Sequence, residues 1–154
     1  MTWPTGQEEV RRLLEEGRLQ QVVADLDDAR ALLTTARAHV GSAELVADAD
    51  ADGAYALLYD AARKGLTALL QAQGLRPTSR GGHVAVQQVV RAQFTQPPPR
   101  DAFRAFARMR TTRHTVEYAP RSTVTSDDVR ADLDVVRTLL DVAERLVDRL
   151  DVFV

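Results

Sequence analysis

The sequence contains no cysteine, which excludes a disulfide framework and any metal site built from thiolates. It also lacks an uninterrupted apolar run of about 18 residues, and its first residues do not combine a basic segment with an apolar one. These absences predict a protein that does not cross a membrane and is located in the reducing cytoplasm.

A large excess of charge is also absent. The formal net charge is -2, with 27% charged and 45% hydrophobic residues, so the chain as a whole does not attract nucleic acid or a membrane surface. An anionic partner would therefore need a local basic patch. A length of 154 residues fits one domain. We expect a single domain over residues 1–154, with a short helical extension over 1–17 and a bundle over 20–150.

Apolar residues recur every three or four positions along most of the chain, which predicts amphipathic helices. No segment shows the alternation expected of a strand. Thr125 and Asp128 form a capping-box pattern before the last helix. The sequence therefore predicts an all-α, up-and-down bundle of four to five main helices. The predicted helices cover residues 7–16, 20–40 with an open continuation to 47, 54–72, 84–94, 100–118 and 126–150.

An acidic segment before the third predicted helix resembles the start of a calcium-binding EF-hand loop. Asp48, Asp50, Asp52 and Gly53 occupy the opening positions, but the twelfth position, which requires a bidentate Glu, is Tyr59. We interpret these aspartates as acids at a helix N-terminus, where the helix dipole favours them. We expect neither a metal nor a cofactor.

Charged and titratable side chains are concentrated in residues 108–118, R-M-R-T-T-R-H-T-V-E-Y. At 3.6 residues per turn, one face of this predicted helix carries Arg110, Arg113, His114, Glu117 and Tyr118. The same spacings also occur on solvated, salt-bridged helix surfaces. However, Phe103 and Phe106 begin the same stripe, which indicates an apolar face leading into a polar pocket.

A second segment of interest is the loop L-R-P-T-S-R-G-G, residues 75–82, followed by His83. Two glycines and an Arg before a helix N-terminus can bind a phosphate through backbone N–H groups. The loop lacks a complete P-loop spacing, so a connecting loop with a capping or packing His is the favoured interpretation.

Several of these segments together resemble the HEPN superfamily, and more closely its small stand-alone actinobacterial members. They are the long helix A-Y-A-L-L-Y-D-A-A-R-K-G-L-T-A-L-L-Q-A-Q-G, the loop closing in R-G-G-H, the segment 108–118 and the final helix after T-S-D-D. The resemblance covers roughly residues 20–150. It implies a helical bundle that forms a homodimer and, in active members, a metal-independent endoribonuclease without a cofactor.

The signature of active HEPN members is an Arg, four to six intervening residues and a His, and the motifs of two protomers face each other across a cleft. Arg108 and His114 match this spacing, with Met109 where the family often has a polar residue. The resemblance implies that this pair is catalytic. Some toxin members also carry a Tyr two residues after the His, which a partner nucleotidyltransferase adenylylates; here that position is Val116, and Tyr118 follows two residues later.

The chemistry of such a cluster is concrete. Metal-free RNA cleavage needs a base for the 2'-hydroxyl proton, an acid for the leaving 5'-oxygen, and cations around the phosphorane. An imidazole, with a pKa of about 6.5, can serve as the base or as the acid. Arg108, Arg110 and Arg113 supply guanidinium groups, with Glu117 and Tyr118 as supporting residues. One protomer offers only one His, so a two-fold dimer would supply the second.

Three interpretations stay open. The first is a dimeric ribonuclease that binds RNA, in some settings a toxin neutralised by an antitoxin in a toxin–antitoxin or defence system. The second is a non-catalytic HEPN partner, or a nucleotide- or substrate-binding subunit, of a minimal nucleotidyltransferase. The third is a structural protein in which Arg110, Arg113, His114 and Glu117 pair across an interface. The sequence also leaves open whether Arg108 or Arg110 faces the cleft.

Overall fold

A computed structural model describes residues 5–121 and 123–154 of the protein. These residues form six α-helices, one small sheet and a final 3-10 turn, so the predicted all-α helical bundle is confirmed. In chain order the elements are α1 (Gln7–Glu15), β1 (Leu19–Gln21), α2 (Leu26–Val46), α3 (Ala51–Ala72), β2 (Leu75–Pro77), α4 (Gly82–Gln93), α5 (Pro99–Tyr118), α6 (Ser126–Leu146) and the turn Val147–Arg149.

Helix α3 is the centre of the core. Helices α2, α4, α5 and α6 all pack against it, and Leu58, Leu66 and Leu69 on α3 are fully buried. Its small residues allow close packing: a Cβ added at Gly65 would lie 2.6 Å from Cδ2 of Leu140 on α6. Helix α5, which carries the charged segment, is thereby fixed between α3, α4 and α6.

Side-chain caps define the starts of several helices. The Asp50 carboxylate accepts the N–H of Gly53 at 2.9 Å, which confirms that this aspartate is a helix N-terminal acid. The predicted capping box is present in α6, where the Thr125 hydroxyl and the Asp128 carboxylate each accept the other residue's backbone N–H. Pro99 occupies the first turn of α5, where its missing N–H removes no helical hydrogen bond.

The prediction that the chain contains no strand is wrong at two short segments. Strands β1 and β2 pair antiparallel, with Leu19 opposite Pro77 and Gln21 opposite Leu75. Each strand has three residues, which is too short for a period of two to show in the sequence.

The second helix also begins later than predicted. It starts at Leu26, not near Gln20, because residues up to Gln21 belong to β1 and the Asp25 carboxylate accepts the N–H of Asp28 at 2.9 Å. Helix α2 then continues through Gly41 to Val46, which resolves its open C-terminal end.

The sheet holds the loop that precedes α4. The Thr78 hydroxyl donates to the Gly17 carbonyl at 2.6 Å, and the Thr78 N–H donates to the Arg18 carbonyl at 3.1 Å. A Cβ at Gly81 would collide with the same Arg18 carbonyl oxygen, so only glycine permits this approach. The loop and the first turn of α4 are therefore fixed beside α5.

Helix α1 covers the outer side of α4, with Val10 and Leu13 completely buried. Within residues 5–121 and 123–154, no helix combines the length and apolar character needed to span a bilayer.

Candidate functional site

A cleft of about 640 Å³ lies between α3, the loop before α4 and the second half of α5. Glycines 81 and 82 form part of its wall, so the R-G-G-H loop and the charged face of α5 meet here. The charged and titratable side chains that line the cleft are Tyr59, Asp60, Arg80, His83, Arg110, Arg113, His114 and Glu117.

Helix α5 supplies one wall, and its polar face is arranged as the helical spacing predicts. His114 is exposed on this wall, and its ring lies 4.7 Å from that of Tyr118, centroid to centroid. Arg113 forms an i,i+4 ion pair with Glu117 at 3.5 Å. His114 is open to the cleft and is not a buried core residue.

Arg110 differs from its neighbours because part of its guanidinium group is buried without a partner. Its Nε is inaccessible to solvent and makes no hydrogen bond, although Arg113 nearby is paired with Glu117. A buried donor without an acceptor costs about 1–3 kcal/mol. Arg110 also lines the cleft, where its guanidinium charge can attract an anion, as can that of Arg80.

A second imidazole faces the same cleft. His83 Nδ1 lies 2.7 Å from the Tyr59 hydroxyl oxygen, and Tyr59 stacks on Phe106 of α5 at a centroid distance of 5.3 Å and an interplanar angle of 10°. Tyr59 is only 4% exposed, so packing fixes the position of the hydroxyl that bonds to His83. The expectation that one protomer offers only one His is wrong for this cleft, which contains both His83 and His114.

The surroundings of His83 favour its neutral form. Partial burial lowers the pKa of His83, and the positive charges of Arg63 and Arg110 lower it further, against an opposing contribution from Asp60. Burial raises the pKa of Tyr59 to about 12, so its phenol stays protonated near neutral pH. The cleft thus combines a neutral imidazole with a phenol that can donate or accept a hydrogen bond.

Asp60 is the acid on the α3 side of the cleft, and its charge is largely compensated. It accepts hydrogen bonds from Arg63 at 2.6 Å and Lys64 at 2.5 Å, and His39 Nδ1 lies 3.0 Å away without hydrogen-bond geometry. Burial acts to raise the pKa of Asp60, but the bonds from Lys64 and Arg63 outweigh it and hold the pKa below its ordinary value. Asp60 therefore does little to neutralise Arg110.

Arg108 lies outside the cleft, against α6. Its two terminal nitrogens donate to both oxygens of Asp132 on α6, at 3.0 and 2.7 Å, and it does not line the cleft. Six positions along a helix, at about 100° per residue, direct Arg108 and His114 to different sides. The pair with the HEPN spacing is therefore not brought together within this chain, and Arg110 and Arg113 are the α5 arginines that line the cleft with His114.

Tyr59 and His83 were not among the sequence-predicted site residues. They are separated by 24 positions in the chain and from His114 by more, so no helical or strand period relates them. The only sequence signal was the R-G-G-H loop, which pointed to a helix N-terminus next to a titratable residue.

The described residues contain no group of three or more His, Asp or Glu side chains placed to hold a metal ion. No protein-family model, no curated protein and no solved structure matches the chain. The chemistry of the cleft therefore has to carry the functional argument: two imidazoles can transfer protons, and a partly unpaired guanidinium can bind an anionic oxygen.

Proposed function

We propose that the protein is a metal-independent endoribonuclease of the HEPN type, and that RNA binds in the cleft with its scissile phosphate at Arg110 and His114. The observation that carries the proposal is that Arg110 lines the cleft one helical turn from the exposed His114. The order of the helices and the segment 108–118 support the HEPN assignment.

The reaction follows from these groups. The 2'-oxygen of the RNA attacks the adjacent phosphorus, the bond to the 5'-oxygen breaks, and a 2',3'-cyclic phosphate and a 5'-hydroxyl result. His114 transfers a proton in this step as a general acid or base. Arg110 and Arg113 stabilise the charge that develops on the phosphorane oxygens. Glu117, one helical turn later, orients Arg113 through their ion pair.

Arg108 has a different role in this proposal from the one that the motif spacing implies. Its bidentate pair with Asp132 assigns it to the packing of α5 on α6. Homodimer formation, location in the cytoplasm and activity as a toxin with an antitoxin partner follow from the resemblance and are part of the same proposal.

The test is cleavage of total RNA by the purified protein in the presence of a chelator. We expect the wild type to produce fragments with 2',3'-cyclic phosphate ends and His114→Ala to be inactive. Thr115→Ala is the matched control, because Thr115 is the next residue on α5, is exposed and does not line the cleft. Equal cleavage by wild type and His114→Ala would sink the proposal.

A second candidate is a non-catalytic HEPN partner that presents a nucleotide to a minimal nucleotidyltransferase. The separation of Arg108 from the cleft favours it, because the signature pair is not assembled in one protomer. It predicts nucleotide binding that depends on Arg110, no RNA cleavage and no growth arrest on expression. Binding without cleavage would support this candidate over the ribonuclease.

A further inference from the structure

The cleft brings together two imidazoles from two different elements. His114 stands on α5, and His83 stands in the first turn of α4, held there by the sheet and by the contact of Gly81 with Arg18. Because His83 Nδ1 is bonded to Tyr59, Nε2 is the ring nitrogen left to a ligand in the cleft. The side chain of His83 is only partly buried, so a ligand in the cleft can reach it.

We infer that His83 is the second proton-transfer group of the ribonuclease reaction, so that each protomer contains a complete acid–base pair. The inference rests on the proposed function and adds a catalytic residue to it. It also removes the need for a histidine from a second protomer, which the motif spacing alone required.

The role of His83 follows from its surroundings. His83 faces Arg63 and Asp60 from α3 and Arg110 from α5; these arginines and partial burial favour the neutral imidazole, and Asp60 is engaged by Lys64 and Arg63. Since the Tyr59 hydroxyl occupies Nδ1 at 2.7 Å, Nε2 is the nitrogen that accepts a proton from a ligand in the cleft, so His83 is the base.

The protons balance in a single step. His83 Nε2 takes the proton of the 2'-hydroxyl as the 2'-oxygen bonds to phosphorus. Protonated His114 gives its proton to the 5'-oxygen as the bond between phosphorus and that oxygen breaks. His83 ends protonated and His114 neutral, and proton exchange with water restores both.

Tyr59 is a positioning residue in this scheme. When Nε2 accepts the proton, Nδ1 carries the other one and donates to the Tyr59 hydroxyl oxygen, so the bond persists in both protonation states of the base. The stacking of Tyr59 on Phe106 fixes that oxygen relative to α5 and thus relative to His114.

Two substrates that differ in their leaving group can distinguish the base from the acid. A dinucleoside monophosphate needs a proton on its leaving oxygen, whereas a nucleoside 3'-(4-nitrophenyl phosphate) has a leaving group that needs none. We expect His83→Ala and His83→Gln to lower kcat/KM at least about 100-fold on both substrates, within the range of general acid–base catalysis. His114→Ala should lose as much on the dinucleotide but stay within about tenfold of wild type on the nitrophenyl ester.

The outcomes distinguish this inference from the proposed function. Wild-type activity with loss only in His114→Ala would leave the ribonuclease intact and overturn the role of His83. Loss in both variants with the substrate pattern reversed would overturn the assignment of His83 as the base. A wild type inactive on both substrates would overturn the ribonuclease and this inference with it. His83→Gln covers any folding defect of the alanine variant, because it retains a side chain that can hydrogen-bond to Tyr59.

Complementation tests whether the pair belongs to one protomer. We expect a mixture of His83→Ala and His114→Ala, unfolded and refolded together, to stay inactive, because every protomer then lacks one member of its pair. Sites shared between two protomers would instead regain activity in mixed dimers, since one of the two clefts would receive both histidines. Regained activity would overturn the single-protomer arrangement.

Discussion

Arg108 and Asp132 form a two-pronged ion pair that joins α5 to α6, with Nη1 to Oδ2 at 3.0 Å and Nη2 to Oδ1 at 2.7 Å. Asp132 is only 6% exposed, and the Tyr55 hydroxyl donates to its Oδ2 at 2.8 Å. Its hydrogen bonds to Asp132 raise the pKa of Arg108, which stays charged. The residue that the motif spacing selects for catalysis is thus engaged in holding two helices together.

Arg108→Ala should therefore lower the free energy of unfolding by about 1–3 kcal/mol, because it leaves the buried Asp132 carboxylate with Tyr55 as its remaining partner. The side chain of Arg108 is 55% exposed, which places the effect below that of a fully buried pair. Urea denaturation measures it. Arg104→Ala, one turn earlier at an exposed position of α5, should stay within about 0.5 kcal/mol of wild type. Equal losses in both variants would contradict a specific role for the pair.

Two glycines in helix interiors should respond oppositely to alanine. Gly41 on α2 has no atom within 4 Å of an added Cβ, so Gly41→Ala should raise the free energy of unfolding by about 1 kcal/mol through helix propensity alone. At Gly65 the new Cβ would lie 2.6 Å from Leu140 Cδ2 and 3.2 Å from Leu139 Cδ2, so Gly65→Ala should instead lose about 1–3 kcal/mol by overpacking. Thermal denaturation of the two variants compares them directly, and a gain at Gly65 would show that α6 can shift.

Much of the fold could be predicted because its signals are local. The capping box of Thr125 and Asp128, the start of α5 at Pro99 and the acid Asp50 at the start of α3 each depend on residues within one turn. The sheet could not be predicted, since Leu19 pairs with Pro77 far along the chain and neither strand is long enough to carry a pattern.

The same division applies to the cleft. Arg110, Arg113, His114 and Glu117 could be grouped from the sequence because three or four positions separate neighbours on one helix face. His83 joins them only because α4 and α5 pack together, and that packing depends on tertiary contacts that no single segment encodes.

The pKa of His83, measured by titration, should show the effect of burial and of the neighbouring charges. The chain has three histidines, so their imidazole signals can be assigned by NMR with single substitutions. We expect a pKa for His83 below the ordinary value of about 6.5, because of partial burial and then Arg63. Arg63→Gln should raise it by removing a cation and freeing Asp60. Arg130→Gln, which removes an arginine paired with Asp48, is the control and should leave it unchanged. An unchanged pKa in Arg63→Gln would contradict the electrostatic account.

The lowered pKa of His83 also makes the free energy of unfolding depend on pH. As the pH is lowered, His83 takes up a proton at about pH 6.5 in the unfolded chain and only at a lower pH in the folded chain. The stabilisation from the neutral imidazole is therefore complete above that pH and is lost as the pH falls toward the lower folded-state pKa. His83→Gln should make the free energy of unfolding less dependent on pH in this window, as measured by urea denaturation across it. An unaltered dependence would mean that His83 titrates alike in both states.

The two arginines of the R-M-R sequence should separate activity from stability. Arg110→Ala should lower kcat/KM for RNA cleavage by about 10²–10³, the loss expected when one group that stabilises a developing oxyanion is removed. It should not lower the free energy of unfolding, because it removes a buried donor that has no partner in the folded protein. Arg108→Ala should show the converse: lower stability, with kcat/KM per folded molecule within about threefold of wild type. Cleavage rates measured well below the unfolding temperature of both variants decide the matter. If Arg108→Ala abolished cleavage and Arg110→Ala did not, the motif spacing would have identified the catalytic arginine, and the reacting phosphate would lie outside the cleft of a single protomer.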